Sequence, residues 1–328
     1  MENELLRVQD LSVGFHLENG SVEAVNHLSF DVKRGSTFGI VGESGSGKTV
    51  TALTVMGLLP SPPGKVESGK VLFNGEDLLV KTRDEMREYR GKRIAMIYQD
   101  PMTSLNPVLR VGFQIAEALI VHKGMARKEA EDKAVDLMSA TGISEPGKRA
   151  RAFPHQLSGG MRQRVMIAMA LATNPDLLIA DEPTTALDVI TQAQILELLK
   201  MLQKDLNMTV ILITHDLGII AEFCSQTLVM YAGHGMEYGT SEQIFLDPQH
   251  PYTKALLNSI TRIDTDVERL PSIPGEIPPL VNPPSGCRFH PRCPRVLDTC
   301  KINEPPPFPV VGGRFSKCWL SEPGKSRS

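Results

Sequence analysis

Residues 42 to 49 read Gly-Glu-Ser-Gly-Ser-Gly-Lys-Thr. A Gly, four residues, Gly-Lys and then Ser or Thr is a phosphate-loop pattern. An apolar, strand-like run (Thr37 to Val41) precedes it, and a helix-like run (Val50 to Leu58) follows. Glycines at 42, 45 and 47 let the backbone wrap an anion, with Ser44 and Ser46 between them. The helix start adds N–H donors and the positive end of its dipole. Lys48 is placed to reach the β- and γ-phosphates, and the Thr49 hydroxyl to hold Mg²⁺. The expectation is a nucleoside triphosphate site in an α/β fold.

Bulk properties narrow the setting. A chain of 328 residues suggests about two domains. The net charge of −3 does not announce a nucleic-acid partner. Apolar runs such as Val165 to Ala172 fall short of the roughly 18 residues a spanning helix needs. The start, Met-Glu-Asn-Glu, lacks the basic and apolar parts of a signal peptide. A chain kept in the cytosol follows, with any membrane role exercised through partners.

Along the chain, Leu6 to Val8, Val13 to Phe15 and Ala24 to Val32 alternate as strands. Phe15 is either a platform for an adenine ring or a sheet-core aromatic. Lys70 to Phe73 reads as a strand ending in Asn-Gly, and Ile94 to Tyr98 as a short strand leading into Gln99. From 108 to 172 the pattern turns helical. Ala130, Ala134, Leu137 and Met138 share one helical face, and Thr141-Gly142 ends it. Ser158-Gly159-Gly160 precedes another helix. Ser158 either simply caps that helix or, with the glycine N–H groups, makes a second anion site.

Leu177 to Ala180 is a buried strand tipped by Asp181-Glu182. Buried strands seldom end in two carboxylates without a task. Beyond such strand ends parallel sheets bind ligands, so Asp181 is read as a contact to Mg²⁺ or its waters and Glu182 as the group that polarises the attacking water. A second strand, Val210 to Thr214, ends in His215-Asp216. His215 is either a structural histidine or part of the same site.

Together these residues resemble the ATP-binding subunit of an ABC transporter, over roughly residues 5 to 260. Phe15 stands where the family has its adenine-stacking aromatic, and Gly42 to Thr49 match its phosphate loop. Gln99 matches the glutamine that couples Mg²⁺ and water to membrane subunits. Leu157 to Met161 match the Leu-Ser-Gly-Gly-Gln signature, with Met161 in place of Gln. Asp181-Glu182 match the acidic strand with its catalytic glutamate, Ala186 to Asp188 the loop that crosses the dimer, and His215 the switch histidine. The resemblance implies a dimer in which Ser158, Gly159 and Gly160 of one subunit face the ATP of the other.

From residue 261 onward the chain holds 13 of its 24 prolines and four of its five cysteines. Prolines alone would allow a disordered tail, but a cytosolic chain seldom spends four cysteines on disulfides. Cys287, Cys293, Cys300 and Cys318 suit a four-Cys zinc site or an iron–sulfur cluster. Their intervening spacings of five, six and 17 residues fit neither a zinc ribbon nor a ferredoxin run. Reduced buried thiols are the third possibility. Cys224 lies in a helix-like stretch and reads as core.

His250-Pro251-Tyr252-Thr253, Ile273-Pro274-Gly275 and Gly286 to Pro294 resemble the C-terminal extension of peptide-transporter ATPases. Nickel and glutathione importers are relatives of that family. The resemblance implies a [4Fe-4S] cluster on the four cysteines, with zinc as the alternative. It also implies a second, homologous ATPase in a heterodimer, two transmembrane permeases, an extracytoplasmic peptide-binding protein, and a peripheral place on the cytoplasmic face of the plasma membrane.

The expected architecture is α/β: an ABC-type P-loop ATPase domain over 1–260 with a helical subdomain at 108–172, and a small Pro/Cys-rich, metal-binding extension over 261–328. The competing class is a soluble ABC-type ATPase acting on nucleic acid. One cassette and the absence of a heptad run argue against it. Against a further competitor, a metal-binding nucleic-acid module with the Cys-rich tail as reader, stand few basic residues (Arg288, Arg292, Arg295) and a negative net charge.

Overall fold

The computed structural model describes residues 3–18, 20–100, 104–185, 187–259 and 273–324. The chain forms two compact units: the first from 1–33, 37–79 and 213–328, the second from 34–36 and 80–212.

The first unit begins with β1 (Glu4–Leu17) and β2 (Gly20–Lys33), paired antiparallel with several register shifts. Alternation shows in the burial: Leu6, Val8, Leu11 and Val13 face inward with at most 1% exposure, while Arg7 and Gln9 do not. After β3 (Thr37–Val41) and α1 (Lys48–Val55), β4 (Gly64–Phe73) returns to pair with β1. The expected Asn-Gly turn is present, with both Asn74 and Gly75 at positive φ. It feeds the two-residue β5 (Glu76–Asp77), giving the sheet order β2-β1-β4-β5.

The second unit starts from α2 (Arg83–Arg87), where Thr82 and Glu85 make a reciprocal capping box. Then come β6 (Ile94–Ile97) and, among the described residues, the helices α3 (Val111–Lys123), α4 (Arg127–Ala140), α5 (Pro146–Arg149) and α6 (Gly159–Leu171). The predicted face of α4 is inside: Ala130, Ala134 and Met138 are fully buried and Leu137 is half-buried. The helix closes at Thr141, and Gly142 follows at φ 76°. β7 (Leu177–Asp181) pairs parallel to β6, α7 spans Val189–Asp205, and β8 (Thr209–Thr214) flanks β7. Leu177 to Ala180 and Val210 to Ile213 are at most 2% exposed. Burying each such Leu, Ile or Val contributes roughly 1.5–3 kcal/mol, so these strands are the rigid floor on which their C-terminal residues stand.

From Ile213 the chain belongs to the first unit again and continues through α8 (Leu217–Phe223), β9 (Gln226–Tyr231), β10 (His234–Thr240), α9 (Ser241–Leu246) and α10 (Pro251–Asn258). Cys224, read as core, is buried at the end of α8. In the tail, α11 (Asp298–Ile302) precedes the hairpin β11 (Phe308–Val310) and β12 (Arg314–Ser316). The hairpin adds to β10, so this unit's second sheet runs β11-β12-β10-β9-β3. Phe289 is fully buried against Tyr231 and Tyr252, with ring centroids 5.3 and 5.2 Å away. The proline-rich tail is therefore packed over residues 273–324. No helix among the described residues is long and apolar enough to cross a membrane.

Candidate functional site: the phosphate loop and the acid-tipped strand

Strand β3 runs parallel to β9 and is buried from Phe38 to Val41. It delivers the chain at the strand's C-terminal end, where the loop turns. The glycines are dictated by close approach. A Cβ on Gly42 would lie 2.1 Å from the Met230 carbonyl oxygen, and one on Gly47 2.4 Å from that of Ala24. Gly47 also sits at φ 100° as the N-cap of α1, with no side chain to occupy the helix's first N–H groups. The Lys48 ammonium is buried and donates to the carbonyls of Gly42 (2.7 Å) and Glu43 (3.0 Å). Ser44, Gly45 and Thr49 are exposed, Ser46 is buried, and the Ser46 carbonyl accepts from Gly233 N–H at 3.0 Å.

Two other expected residues belong to this unit. Phe15 is half-buried on β1, opposite Val22 and Gly64. His215 is exposed directly after β8. Its neighbour Asp216 caps α8, accepting from Gly218 N–H at 2.7 Å and Ile219 N–H at 3.3 Å.

In the second unit the parallel register pairs Ile97 with Ala180, so the chain leaves β6 and β7 side by side. Gln99 and Glu182 meet there: the Gln99 amide donates to the Glu182 carboxylate at 3.1 Å. Thr185 Oγ1 donates to the same carboxylate at 2.9 Å. Asp181 is 2% exposed and Glu182 half-buried. Glu182 holds φ 46°, the left-handed region that costs a non-glycine residue free energy and concentrates at functional sites.

Ser158 caps α6, its hydroxyl accepting from Met161 N–H at 3.3 Å. Leu157 is buried beneath, while Ser158 is exposed and the two glycines half-exposed. A Cβ on Gly160 would meet Thr191 Cγ2 at 2.7 Å. Asp188 caps α7 through Thr191 N–H (2.9 Å), which holds its carboxyl below the usual range. Of the loop expected to cross a dimer, Ala186 lies outside the described residues.

The four tail cysteines line one small cavity with His250, His290 and Trp319. Cys287 N–H donates to the Cys300 carbonyl at 2.8 Å. None is in a disulfide. Burial pushes the Cys287 thiol up to about 12 and the Cys318 thiol up to about 11. Four thiols are the donor type a thiolate-bound metal would need, but burial disfavours the charged forms of Cys287 and Cys318. Among the described residues, however, no three His, Cys, Asp or Glu side chains are arranged to hold a metal ion.

Sequence reasoning gave no role to Glu43, Tyr252 or Arg292, all within quoted motifs. Glu43 N–H donates to the Tyr252 hydroxyl at 3.1 Å, and Arg292 grips the Glu43 carboxylate. A glutamate inside a phosphate loop, where an anion is to bind, was the available signal.

Comparison with known proteins now decides the family. Residues 25–185 match the family model described as ABC transporter, and residues 236–300 match the oligopeptide/dipeptide transporter C-terminal region. The chain is 50% identical over 319 residues to the dipeptide transport ATP-binding protein DppD of Bacillus subtilis, covering 97% of this chain and 95% of that one. It is 51% identical over 314 residues to DppD of Escherichia coli, covering 96% of each. It belongs to the ATP-binding subunits of the oligopeptide/dipeptide ABC transporters. The oligopeptide transport ATP-binding protein OppD of Salmonella typhimurium is 50% identical over 317 residues, or 97% of this chain and 94% of that one. Among solved structures, a dimeric post-hydrolysis ATP-binding cassette, MJ0796 bound to ADP and Pi, superposes with a TM-score of 0.64 at 29% identity. That match covers 72% of this chain and 98% of the cassette. The subunit is an ABC-type ATPase.

Proposed function

We propose that this ATPase subunit energises the import of short peptides, working as one of two homologous but distinct ATP-binding subunits beneath a pair of permeases. An extracytoplasmic binding protein would supply the cargo, and the subunit would sit peripherally on the cytoplasmic face of the membrane. The relatives' names divide between dipeptide and oligopeptide transport, which supports short peptides as the class of cargo.

The carrying observation is the acid-tipped strand, where the Gln99 amide holds the Glu182 carboxylate at 3.1 Å in a left-handed backbone. In this reading Glu182 accepts a proton from the attacking water, and Gln99 aims it. Lys48 and the first N–H groups of α1 offset the charge on the β- and γ-phosphates. Gly42, Ser44, Gly45, Ser46 and Gly47 wrap them. His215 orients the γ-phosphate and Phe15 stacks on the adenine. Thr49, Gln99 and Asp181 would hold Mg²⁺ or its waters, and the ion would supply further charge neutralisation. Ser158, Gly159 and Gly160 serve the nucleotide of the sister subunit, which makes each active site composite.

Four thiols around one cavity also support a [4Fe-4S] cluster on Cys287, Cys293, Cys300 and Cys318, with zinc as the alternative metal. Protein purified without oxygen is expected to carry about four irons per chain and absorb near about 400 nm. Colourless, zinc-replete protein would overturn the iron assignment.

The functional reading is tested in proteoliposomes holding both ATPases and both permeases, with the binding protein outside. Labelled dipeptide or oligopeptide should accumulate only with internal ATP, and Lys48→Ala should abolish uptake. Uptake that persists in Lys48→Ala, or ATP hydrolysis that no peptide stimulates, would contradict it.

A further inference from the structure

Glu43 is the second residue of the phosphate loop, and every polar group it owns is engaged. Its N–H donates to the Tyr252 hydroxyl at 3.1 Å. Its carbonyl accepts from Ser46 N–H at 3.2 Å and from the Lys48 ammonium at 3.0 Å. Its carboxylate accepts both arms of the Arg292 guanidinium, at 2.8 and 3.1 Å. Arg292 is itself fixed. It donates to the carbonyls of Pro274 (2.9 Å) and Ile273 (3.3 Å) and to the Tyr231 hydroxyl (3.3 Å), and only 4% of its side chain is exposed. A planar fork on a carboxylate with both partners sheltered is the geometry in which an ion pair positions rather than merely attracts.

A second arginine from the same tail segment acts on the other side of the loop. Arg288 donates to the Ala232 carbonyl at 2.7 Å and to Glu23 at 2.5 Å. The next residue, Gly233, donates its N–H to the Ser46 carbonyl at 3.0 Å. Thus the segment between Cys287 and Cys293 reaches the phosphate loop directly at Glu43 and, through the β9–β10 turn, at Ser46.

We propose that Arg292 is a positioning residue for nucleotide binding: through Glu43 it sets the phosphate-loop backbone that presents Lys48 to the phosphates. The cysteine-bearing tail is then a brace for the ATP site. This inference rests on ATP binding at the loop and holds whether or not the thiols carry a metal.

The test uses the assembled transporter for steady-state ATPase kinetics and the full-length subunit for equilibrium binding of ATP. Arg292→Gln is expected to raise KM and Kd for ATP about fivefold or more while kcat at saturation stays within about twofold. Glu43→Gln, which leaves the tail untouched, should do the same. The double variant should be no worse than the more damaging single one, because both remove one interaction. Arg292→Lys keeps the charge but not the fork and should recover part of the loss. Melting temperature and thiol count, measured alongside, identify any variant that has simply lost its fold. An unchanged KM in Glu43→Gln overturns the proposal, even if Arg292→Gln cannot be purified. So do single effects that multiply in the double variant, or a fall in kcat at constant KM.

Discussion

The two helix starts proposed to meet the nucleotide are capped in opposite ways. At α1 the capping position is Gly47, with no side chain and a left-handed backbone at φ 100°. Nothing of the residue itself competes for the first N–H groups. At α6 the capping position is Ser158, whose hydroxyl accepts from Met161 N–H at 3.3 Å, a long bond from an exposed side chain. A third start, at α7, shows the closed alternative: Asp188 accepts from Thr191 N–H at 2.9 Å and from Thr191 Oγ1 at 2.7 Å. The N–H groups left open to a ligand become fewer as the cap strengthens. The glycine cap puts no side chain on the first N–H groups, the serine cap holds one at long range, and the carboxylate cap holds one closely and brings its own negative charge.

The comparison breaks most visibly at Gly47. Gly47→Ala forces a Cβ onto the Ala24 carbonyl and keeps an alanine at positive φ. We expect a loss of about 1–3 kcal/mol in stability and loss of ATP binding, read by thermal melting and a fluorescent nucleotide titration. Normal binding in that variant would show that the cradle does not need this backbone. Ser158→Ala should come next. Removal of the cap costs about 1 kcal/mol or less at so long a bond, yet ATPase activity of the assembled transporter should fall on the order of tenfold. Stability and activity falling in proportion would reduce Ser158 to a cap. The smallest effect belongs to Asp188→Asn. Asparagine can cap but carries no charge. The folded carboxyl of Asp188 is held below its ordinary value by the Thr191 N–H. Its charge therefore adds stability above about pH 3.9, the unfolded value, and loses it as pH falls through the folded one. The melting difference between wild type and Asp188→Asn should vanish at the acid end of a pH series. A difference independent of pH would assign the cap to hydrogen bonding alone.

Much of what is proposed for nucleotide binding rests on signals that are local in sequence. The phosphate loop, the acids ending β7 and the serine before α6 each declare themselves within ten residues, by spacing and by what precedes a helix or ends a strand. The Gln99–Glu182 contact is different in kind. It joins residues 83 apart and exists because β6 and β7 run parallel in register. The Arg292–Glu43 pair spans 249 residues, and no periodicity reports it. Composition pulled the tail both ways, its prolines toward disorder and its cysteines toward order. Burial of Phe289 among Tyr231 and Tyr252, and pairing of β12 with β10, settle residues 273–324 as packed. Neither feature is visible without knowing which strand the hairpin joins.

The proposed hydrolysis depends most on Glu182 as the group that prepares water for attack on a bound nucleotide. The direct measurement compares phosphate release and ATP occupancy in the assembled transporter carrying Glu182→Gln. The prediction is full occupancy with release slowed on the order of 100-fold or more. Release at the wild-type rate, with occupancy unchanged, would contradict it.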